Sequence, residues 1–548
     1  MARLLNRLRV VFDHQINASN ALDFVFRWHH DEILFYLDKQ LPYADLRGKE
    51  ICAGQLLPFV NKLGNLLKQS GMKRYDRVAI FKSNSPDYFF LALAVIKAGG
   101  IAVPINSGMS LEQLSYYLAY TGSKMLITDE EVFGKVIKSS GKLPVVKAFL
   151  FPHIPDTFDG NGVDLNTELE KMSDELEPVI LFKDSCILIV HTSGTTGFPK
   201  GVISTSGSLI SSVKGHLSSE PISRLNKICL AGYYNHLVYY VSFFTMMIGN
   251  YEVYPLTIPE PKKALEAIET NKINIFFAFS DVYLKMFNEG LNNYNLSSIK
   301  IWIATADASH EEHMKAFCQY GAFLKILGKP VFRSVFIDVI GTSEVGTGAI
   351  RRFYFSFLKP TYNRMIGRPY FGGPRVKVAD ENGRELGAGK PGRLMVKGKA
   401  LFKGYWNAHD MTNGVIINDW WWTGDIVYRD KLGRYYHLDR ASDVINSESG
   451  PVYSLPIEEI LLTHPSVSEA VVIGVPDGEN LQSPLAIIYP KTGNAIEEEA
   501  FLAWTSSKMM HVQFKKIMIV TPLDVPRGLT GKVLKRVLRE RYAKQFAV

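Results

Sequence analysis

The sequence has few cysteines, and those it has are far apart. Four occur in 548 residues, at Cys52, Cys186, Cys229 and Cys318. This spacing lacks the close cysteine pairs of a zinc site or of a disulfide-stapled extracellular domain. We therefore expect reduced thiols and a cytoplasmic location.

Long hydrophobic runs and dense blocks of one charge are also lacking. The longest apolar stretch, residues 237–249, contains polar side chains and is too short to span a bilayer, so we expect a soluble protein without a transmembrane anchor. The net charge of +8 is spread along the chain, which does not indicate a nucleic-acid partner. Residues 1–12 place several arginines on an apolar background, which leaves open an ordinary surface helix or a weak contact with a membrane surface.

What the chain does have is the size and composition of a globular protein with more than one domain. Apolar residues make up 47% and charged residues 21% of its 548 residues, which is close to average usage. A chain of this length exceeds one typical domain, so we expect at least two units.

Strand-like and helix-like segments alternate over most of the chain. Residues 76–81 and 334–340 are apolar strand patterns, residues 87–98 form a helix pattern, and Ser110 with Gln113 resembles a capping box at a helix start. Apolar strands separated by helices predict a mixed or parallel α/β sheet, and such sheets bind ligands at the carboxyl ends of their strands.

The stretch HTSGTTGFPKGV, residues 191–202, follows an apolar strand pattern and combines glycines, hydroxyls and one lysine. Glycines allow close approach of the backbone, and hydroxyl and ammonium groups suit phosphate oxygens. Lys200 follows Pro199 rather than glycine, which disfavours a Walker loop. Taken alone, the stretch is equally compatible with a polar surface turn.

Five segments, in order, resemble the adenylate-forming superfamily of acyl-CoA synthetases, peptide-synthetase adenylation domains and luciferases. They are RVAIFKSNSPDYFFLALAVIKAGGIAVPIN (77–106), HTSGTTGFPKGV (191–202), IGTSE (340–344), WWWTGDIVYRDKLGRYYHLDR (420–440) and VPRGLTGKVLKRVL (525–538). IATADASHEEH, residues 303–313, resembles a degenerate form of the family's adenine-side loop.

The resemblance implies a fold of class α/β with a particular domain order. A large N-terminal AMP-binding domain, residues 1–439, would contain two mixed α/β sheets and a small β-rich subdomain from about residue 365 to 439. A small mobile α+β domain, residues 440–548, would follow a hinge near residues 440–443. Glycine turns between short strand patterns after residue 370 agree with the β-rich subdomain.

The resemblance also assigns candidate site residues for ATP and Mg²⁺. The ATP contacts would come from Thr192, Ser193, Gly194, Thr195, Thr196, Gly197, Lys200, Gly341, Thr342 and Ser343, with Asp425 and Arg440 at the ribose. Glu344 would bind Mg²⁺, because hard carboxylate oxygens suit that ion. Lys532 would contact both the attacking carboxylate and the α-phosphate, and His236 would lie beside the acid.

Three departures from the family pattern are visible in the sequence. Ile340 replaces the aromatic residue that stacks on adenine, and Thr305-Ala306 replaces a glycine pair. Near the hinge, Ser442 replaces the usual Asp or Lys, and Gly450 with Pro451 is shifted by about one residue. The hinge changes concern the second half-reaction, so they leave the acceptor open.

We therefore expect ATP- and Mg²⁺-dependent activation of a carboxylic acid to an acyl-adenylate, followed by transfer to the thiol of coenzyme A or of a carrier-protein phosphopantetheine. Three alternatives stay open. They are a stand-alone adenylation enzyme that loads an amino or aryl acid onto a carrier protein, an inactive nucleotide-binding member of the fold, and a monooxygenase-like member that oxidises its adenylate.

Overall fold

The computed structural model describes most of the chain, and it confirms the α/β class with two large mixed sheets. The described residues are 10–137, 143, 146, 148–155, 158, 162–192, 199–219, 225–306, 309–327, 329–346, 348–491, 495–509, 512–520, 525–528 and 533–546. No helix among them is long and apolar enough to cross a membrane.

One large sheet has eight strands and is parallel in its centre, with an antiparallel strand at each edge. In spatial order its strands are Gly348–Phe355, Val335–Gly341, Ile301–Thr305, Ile275–Phe279, Lys227–Ala231, Glu252–Leu256, Ile33–Tyr36 and Glu50–Cys52. The central strands IFFAF and IWIAT are apolar almost throughout because helices and core residues cover both faces.

The second large sheet has seven strands and is parallel except for its last pair. Its strands, in spatial order, are Gly162–Asp164, Ala148–Phe151, Met125–Ile127, Arg77–Phe81, Ile101–Ile105, Cys186–Thr192 and Lys200–Thr205. The antiparallel pairing of the last two brings the two ends of the glycine-rich stretch together.

Helices cover the faces of these two sheets. They are Ala21–His29, Ala53–Gln69, Asp87–Lys97, Leu111–Thr121, Glu130–Ile137, Leu165–Leu169, Ser206–Ser219, Leu237–Ile248, Pro261–Asn271, Ser280–Glu289 and Glu311–Phe317, with a 3₁₀ turn at Leu291–Asn293. The predicted capping box is confirmed, because Ser110 Oγ accepts from Gln113 N and Gln113 Oε1 accepts from Ser110 N. Phe89 and Phe243 stack at 4.9 Å where two largely apolar helices, Asp87–Lys97 and Leu237–Ile248, meet in the core.

A smaller antiparallel sheet follows the eight-stranded sheet in the chain. Its strands in order are Met365–Gly367, Tyr435–Arg440, Trp420–Arg429, Gly392–Lys397 and Arg375–Ala379, with Ile416–Ile417 paired to Trp420–Arg429 and a helix at His409–Val415. We call this unit the subdomain. A separate hairpin, Ala322–Ile326 with Lys329–Arg333, precedes it.

After Arg440 the chain forms a separate α+β unit, which we call the C-terminal unit. It has the sheet Val467–Pro476, Gln482–Pro490 and Lys516–Ile519, the hairpin Ile445–Ser447 with Gly450–Val452, and the helices Ser454–Leu461, Glu498–Lys508 and Lys535–Phe546. Its Glu459 carboxylate pairs with Arg364 at 3.2 Å and His310 at 3.0 Å, both in the larger unit. The exact domain boundary and the hinge at residues 440–443 stay predictions.

Candidate active site

A cavity of about 840 Å³ lies against one face of the eight-stranded sheet and reaches the subdomain and the C-terminal unit. Phe277, Ile303 and Ile337 form its sheet wall, and Met246 of the helix Leu237–Ile248 lies opposite. Trp422 adds a wall from the subdomain. Most of the predicted site residues that the structure describes lie at the end of this cavity where the parallel strands terminate.

The two described ends of the glycine-rich stretch line this cavity. Thr192 ends one strand, Lys200 begins the next, and the two residues pair directly in antiparallel register. The Lys200 ammonium lies 5.9 Å from the centre of the Tyr405 ring. Ser193, Gly194, Thr195, Thr196 and Gly197 lie outside the described residues, so their contacts with phosphate stay predictions.

Residues 341–344 continue from the strand Val335–Gly341 and all four line the cavity. Glu344 is buried, with 8% of its surface exposed, and the Tyr405 hydroxyl donates a hydrogen bond of 3.0 Å to Glu344 Oε1. Burial and the nearby Glu344 raise the pKa of Tyr405, so its hydroxyl stays protonated and can donate. Sequence reasoning missed Tyr405, since it lies 61 positions from Glu344.

The residues around Glu344 suit a magnesium ion that also binds phosphate. Mg²⁺ is usually held by one or two carboxylates together with substrate phosphates rather than by a cluster of protein ligands. Among the described residues there is no group of three or more His, Cys, Asp or Glu side chains that could hold a metal ion. The buried Thr342 hydroxyl has no hydrogen-bond partner within the described part of the chain, so it can bond to a ligand.

Asp425 and Arg440 form one hydrogen-bonded group at the subdomain end of the cavity. Arg440 Nη1 donates to Asp425 Oδ1 at 2.9 Å, and Thr423 Oγ1 donates to Asp425 Oδ2 at 2.8 Å. Burial alone would raise the pKa of Asp425, but Arg440 and His437 hold it well below its usual value. Arg440 lines the cavity, while Asp425 is almost fully buried. His437 lies within the motif of residues 420–440 but is not among the predicted site residues.

His236 lies at the start of the helix Leu237–Ile248 and lines the cavity, with its ring 5.3 Å from that of Phe279. A second histidine, His191, has its ring 6.4 Å away. Burial and then His236 lower the pKa of His191 to about 3, so it is neutral at physiological pH. Its Nε2 accepts a 3.0 Å hydrogen bond from the backbone N–H of Asn106, the residue that follows the strand Ile101–Ile105. His191 therefore lines the cavity and holds the end of that strand in position.

Lys532 lies outside the described residues, so its predicted role is not tested. The described residues on either side of it do line the cavity, namely Gly528 and Leu534, together with Arg527 and Arg536. The edge of the C-terminal unit that carries the lysine motif therefore faces the predicted nucleotide residues.

The structure shows the surroundings and backbone conformation of the residues that depart from the family pattern. Ile340 packs against the hydrophobic core, and Thr305 Oγ1 donates to the Val339 carbonyl at 2.9 Å. Ala306 has a φ of +81°, a conformation that glycine adopts easily and alanine does not. Ser442 is exposed in a turn, and Gly450, with a φ of +113°, belongs to the hairpin that follows.

The side chains that line the cavity carry more positive than negative charges, although Arg440, Arg527 and Arg536 each pair with a carboxylate outside the lining, namely Asp425, Glu469 and Glu540. Glu344 is the only carboxylate among the described residues that line it, whereas the lining cations are Lys200, Arg351, Arg440, Arg527 and Arg536. Low-dielectric walls strengthen the field of such charges, so the cavity favours polyanionic ligands.

Comparisons with known proteins agree with this geometry. Residues 39–406 match the family model of the AMP-binding enzyme, and residues 456–532 match that of the AMP-binding enzyme C-terminal domain.

Two curated relatives span nearly the whole chain. A 3-aminoavenalumate diazotase of Streptomyces sp is 28% identical and covers 98% of both chains. A long-chain-fatty-acid–CoA ligase of Bacillus subtilis strain 168 is 26% identical and covers 90% of both.

A solved structure shares the fold. It is the anthranilate CoA ligase AuaEII in complex with anthranoyl-AMP, which has a TM-score of 0.82 at 21% identity over 97% of this chain and 98% of that one.

Proposed function

The chain belongs to the AMP-binding enzyme family, and from this premise we propose that it activates a carboxylic acid with ATP and then transfers the acyl group to a thiol. The observation that carries the proposal is the cationic cavity with a single described carboxylate, Glu344. ATP and a carboxylate are both anions, and a cavity of this charge lowers the repulsion between them.

The proposed first step forms an acyl-adenylate. A carboxylate oxygen of the acid attacks the α-phosphorus, the bond from this phosphorus to the bridging oxygen breaks, and pyrophosphate leaves with the electron pair. Lys532 would stabilise the negative charge that develops on the α-phosphate, and Lys200 with the glycine-rich stretch would hold the departing phosphates. Arg440 and Asp425 would orient the ribose.

In the proposed second step a thiolate attacks the acyl carbon, a carbon–sulfur bond forms, the bond from the acyl carbon to the phosphate oxygen breaks, and AMP leaves with the electron pair. The thiol would belong to coenzyme A or to a carrier-protein phosphopantetheine. The acid itself would have an apolar body, because Phe277, Ile303 and Met246 are among the apolar side chains that line the cavity.

Magnesium, when bound, would neutralise phosphate charge during the first step. Glu344 would supply the carboxylate ligand, and Tyr405 would orient that carboxylate through its hydrogen bond. The Thr342 hydroxyl would complete the polar surroundings.

The proposal is tested by acid-dependent exchange of radioactive pyrophosphate into ATP, measured over a panel of fatty and aryl acids. Lys532→Ala should lower the exchange rate by at least about a hundredfold, because it removes the cation that stabilises the transition state. Lys508→Ala is the matched control, since Lys508 is an exposed lysine at the end of the helix Glu498–Lys508. Exchange that survives Lys532→Ala at the control level would refute the mechanism.

A second candidate is transfer to nitrogen instead of sulfur. The relative that covers 98% of both chains is named a diazotase, so its named reaction takes place at an amino nitrogen and is not itself an acyl transfer. The direct support for this candidate is that residues 442–451 depart from the thiol-side pattern. An acceptor screen separates the two candidates. AMP release that accelerates with coenzyme A or with a phosphopantetheine-loaded carrier supports the thiol, and release that accelerates only with an amine supports nitrogen.

A further inference from the structure

An apolar and positively charged surface protrudes beside the edge strand of the eight-stranded sheet. It combines the hairpin of residues 322–327 and 329–333 with residues 353–359, and we call it the hairpin patch. Neighbouring rings join its two parts, with centroid distances of 5.8 Å for Phe323–Phe332, 5.8 Å for Phe332–Phe355 and 5.4 Å for Phe355–Phe357.

The apolar side chains of the hairpin patch point into solvent to an unusual degree. Leu327 is 97% exposed, Phe357 70% and Val331 58%, and their neighbours Leu324, Ile326 and Leu358 are exposed as well. Single exposed apolar residues are common, but a contiguous group of this size marks a surface that binds something.

The charge of the hairpin patch has one sign. Its cations are Lys325, Lys329, Arg333 and Lys359, and residues 320–333 and 353–359 contain no aspartate or glutamate. The three lysines are exposed alongside the apolar side chains. A partner must therefore accept apolar side chains and carry negative charge at the same place.

A second copy of this chain meets these demands poorly. A two-fold dimer through the patch would bring its cations close to those of the other copy with no carboxylate of the patch to offset them, and like charges repel one another. A nucleic acid would supply the negative charge but would give no burial to Leu327 or Ile326.

We propose that the hairpin patch binds the surface of an anionic phospholipid bilayer. Ile326, Leu327 and Phe357 enter the boundary between headgroups and acyl chains, and the lysines contact the anionic headgroups. The hairpin turn is well suited to this because it projects its apolar residues beyond the sheet edge.

The proposal is tested by cosedimentation of the full chain with vesicles, without ATP or acid, so the result does not depend on enzymatic activity. One set of vesicles is phosphatidylcholine alone, and the other is an equal mixture of phosphatidylcholine and phosphatidylglycerol. We expect binding to the mixed vesicles that weakens steeply with added salt, and little binding to phosphatidylcholine alone.

Two variants locate the binding surface. Ile326→Ser/Leu327→Ser/Phe357→Ser should lower the partition coefficient at least about tenfold, and Lys325→Glu/Lys329→Glu should lower it on mixed vesicles by a similar factor. The matched controls replace equally exposed residues elsewhere, with Ile180→Ser/Phe182→Ser/Phe371→Ser for the apolar set and Lys390→Glu/Lys431→Glu for the charged set. Thermal melts check that every variant is folded.

Three results would overturn the proposal. One is no binding of the unchanged chain to mixed vesicles, and another is equal loss in the patch variants and their controls. The third is a dimer in sedimentation velocity that the apolar patch variant converts to a monomer, which would show that a second copy covers the patch.

Discussion

Tyr405→Phe removes one hydroxyl and tests whether Tyr405 positions the carboxylate that is proposed to bind magnesium. The lost hydrogen bond joins Tyr405 Oη to Glu344 Oε1 at 3.0 Å, and Glu344 is almost fully buried. A hydrogen bond to a buried charged group is worth about 2 kcal/mol, which corresponds to about a thirtyfold change in an equilibrium constant. The phenyl ring stays, so the contact with Lys200 at 5.9 Å is kept.

The measurement is acid-dependent pyrophosphate exchange as a function of magnesium concentration at saturating ATP. We expect the magnesium concentration for half-maximal exchange to rise about thirtyfold, with a smaller change in the maximal rate. Tyr436→Phe is the control, because it also removes a tyrosine hydroxyl that donates to a carboxylate, Asp430 Oδ2 at 3.1 Å, on the same subdomain.

The reasoning fails if Tyr405→Phe and Tyr436→Phe show the same magnesium dependence. It also fails if Tyr405→Phe lowers only the maximal rate, since a residue that orients a metal ligand must change the apparent affinity for the metal.

Two further predictions concern stability. Ala306→Gly should raise Tm by about 1–2 °C in a thermal melt, because it relieves the strain of a φ of +81°, whereas Ala304→Gly in the strand before it should lower Tm. Burial raises the pKa of Asp338 from 3.8 to about 6, so the folded chain holds a proton that the unfolded chain releases. The stabilisation that this proton provides is complete below pH about 4 and is lost as the pH rises through about 6. In urea unfolding, the free energy of unfolding of the unchanged chain should therefore decline by about 3 kcal/mol over this pH range, and Asp338→Asn should remove that decline.

Local patterns in the sequence predicted much of the fold. The capping box of Ser110 and Gln113 is an interaction between residues three apart, and the apolar strands 76–81 and 334–340 appear in the structure as Arg77–Phe81 and Val335–Gly341. The ordered motifs predicted the family, which the family models confirm. The individual roles of Glu344 and Lys532 stay predictions.

Contacts between distant segments could not be predicted in this way. Tyr405 reaches Glu344 from the subdomain, and the spacing of these two residues matches no helix or strand period, so no periodicity in the sequence signals their contact. Asp425 and Arg440 differ from this pair, because the resemblance places both at the ribose and they face each other across one hairpin.

By itself the sequence determined the α/β class, the order of the motifs and the family, because periodicity and motif spacing are properties of neighbouring residues. Only the tertiary structure decided which side chains share the cavity, that Glu344 is its single described carboxylate, and that the hairpin patch is exposed. Burial and electrostatic surroundings arise when segments far apart in the chain pack together, and hydrophobicity alone does not tell a buried leucine from an exposed one such as Leu327.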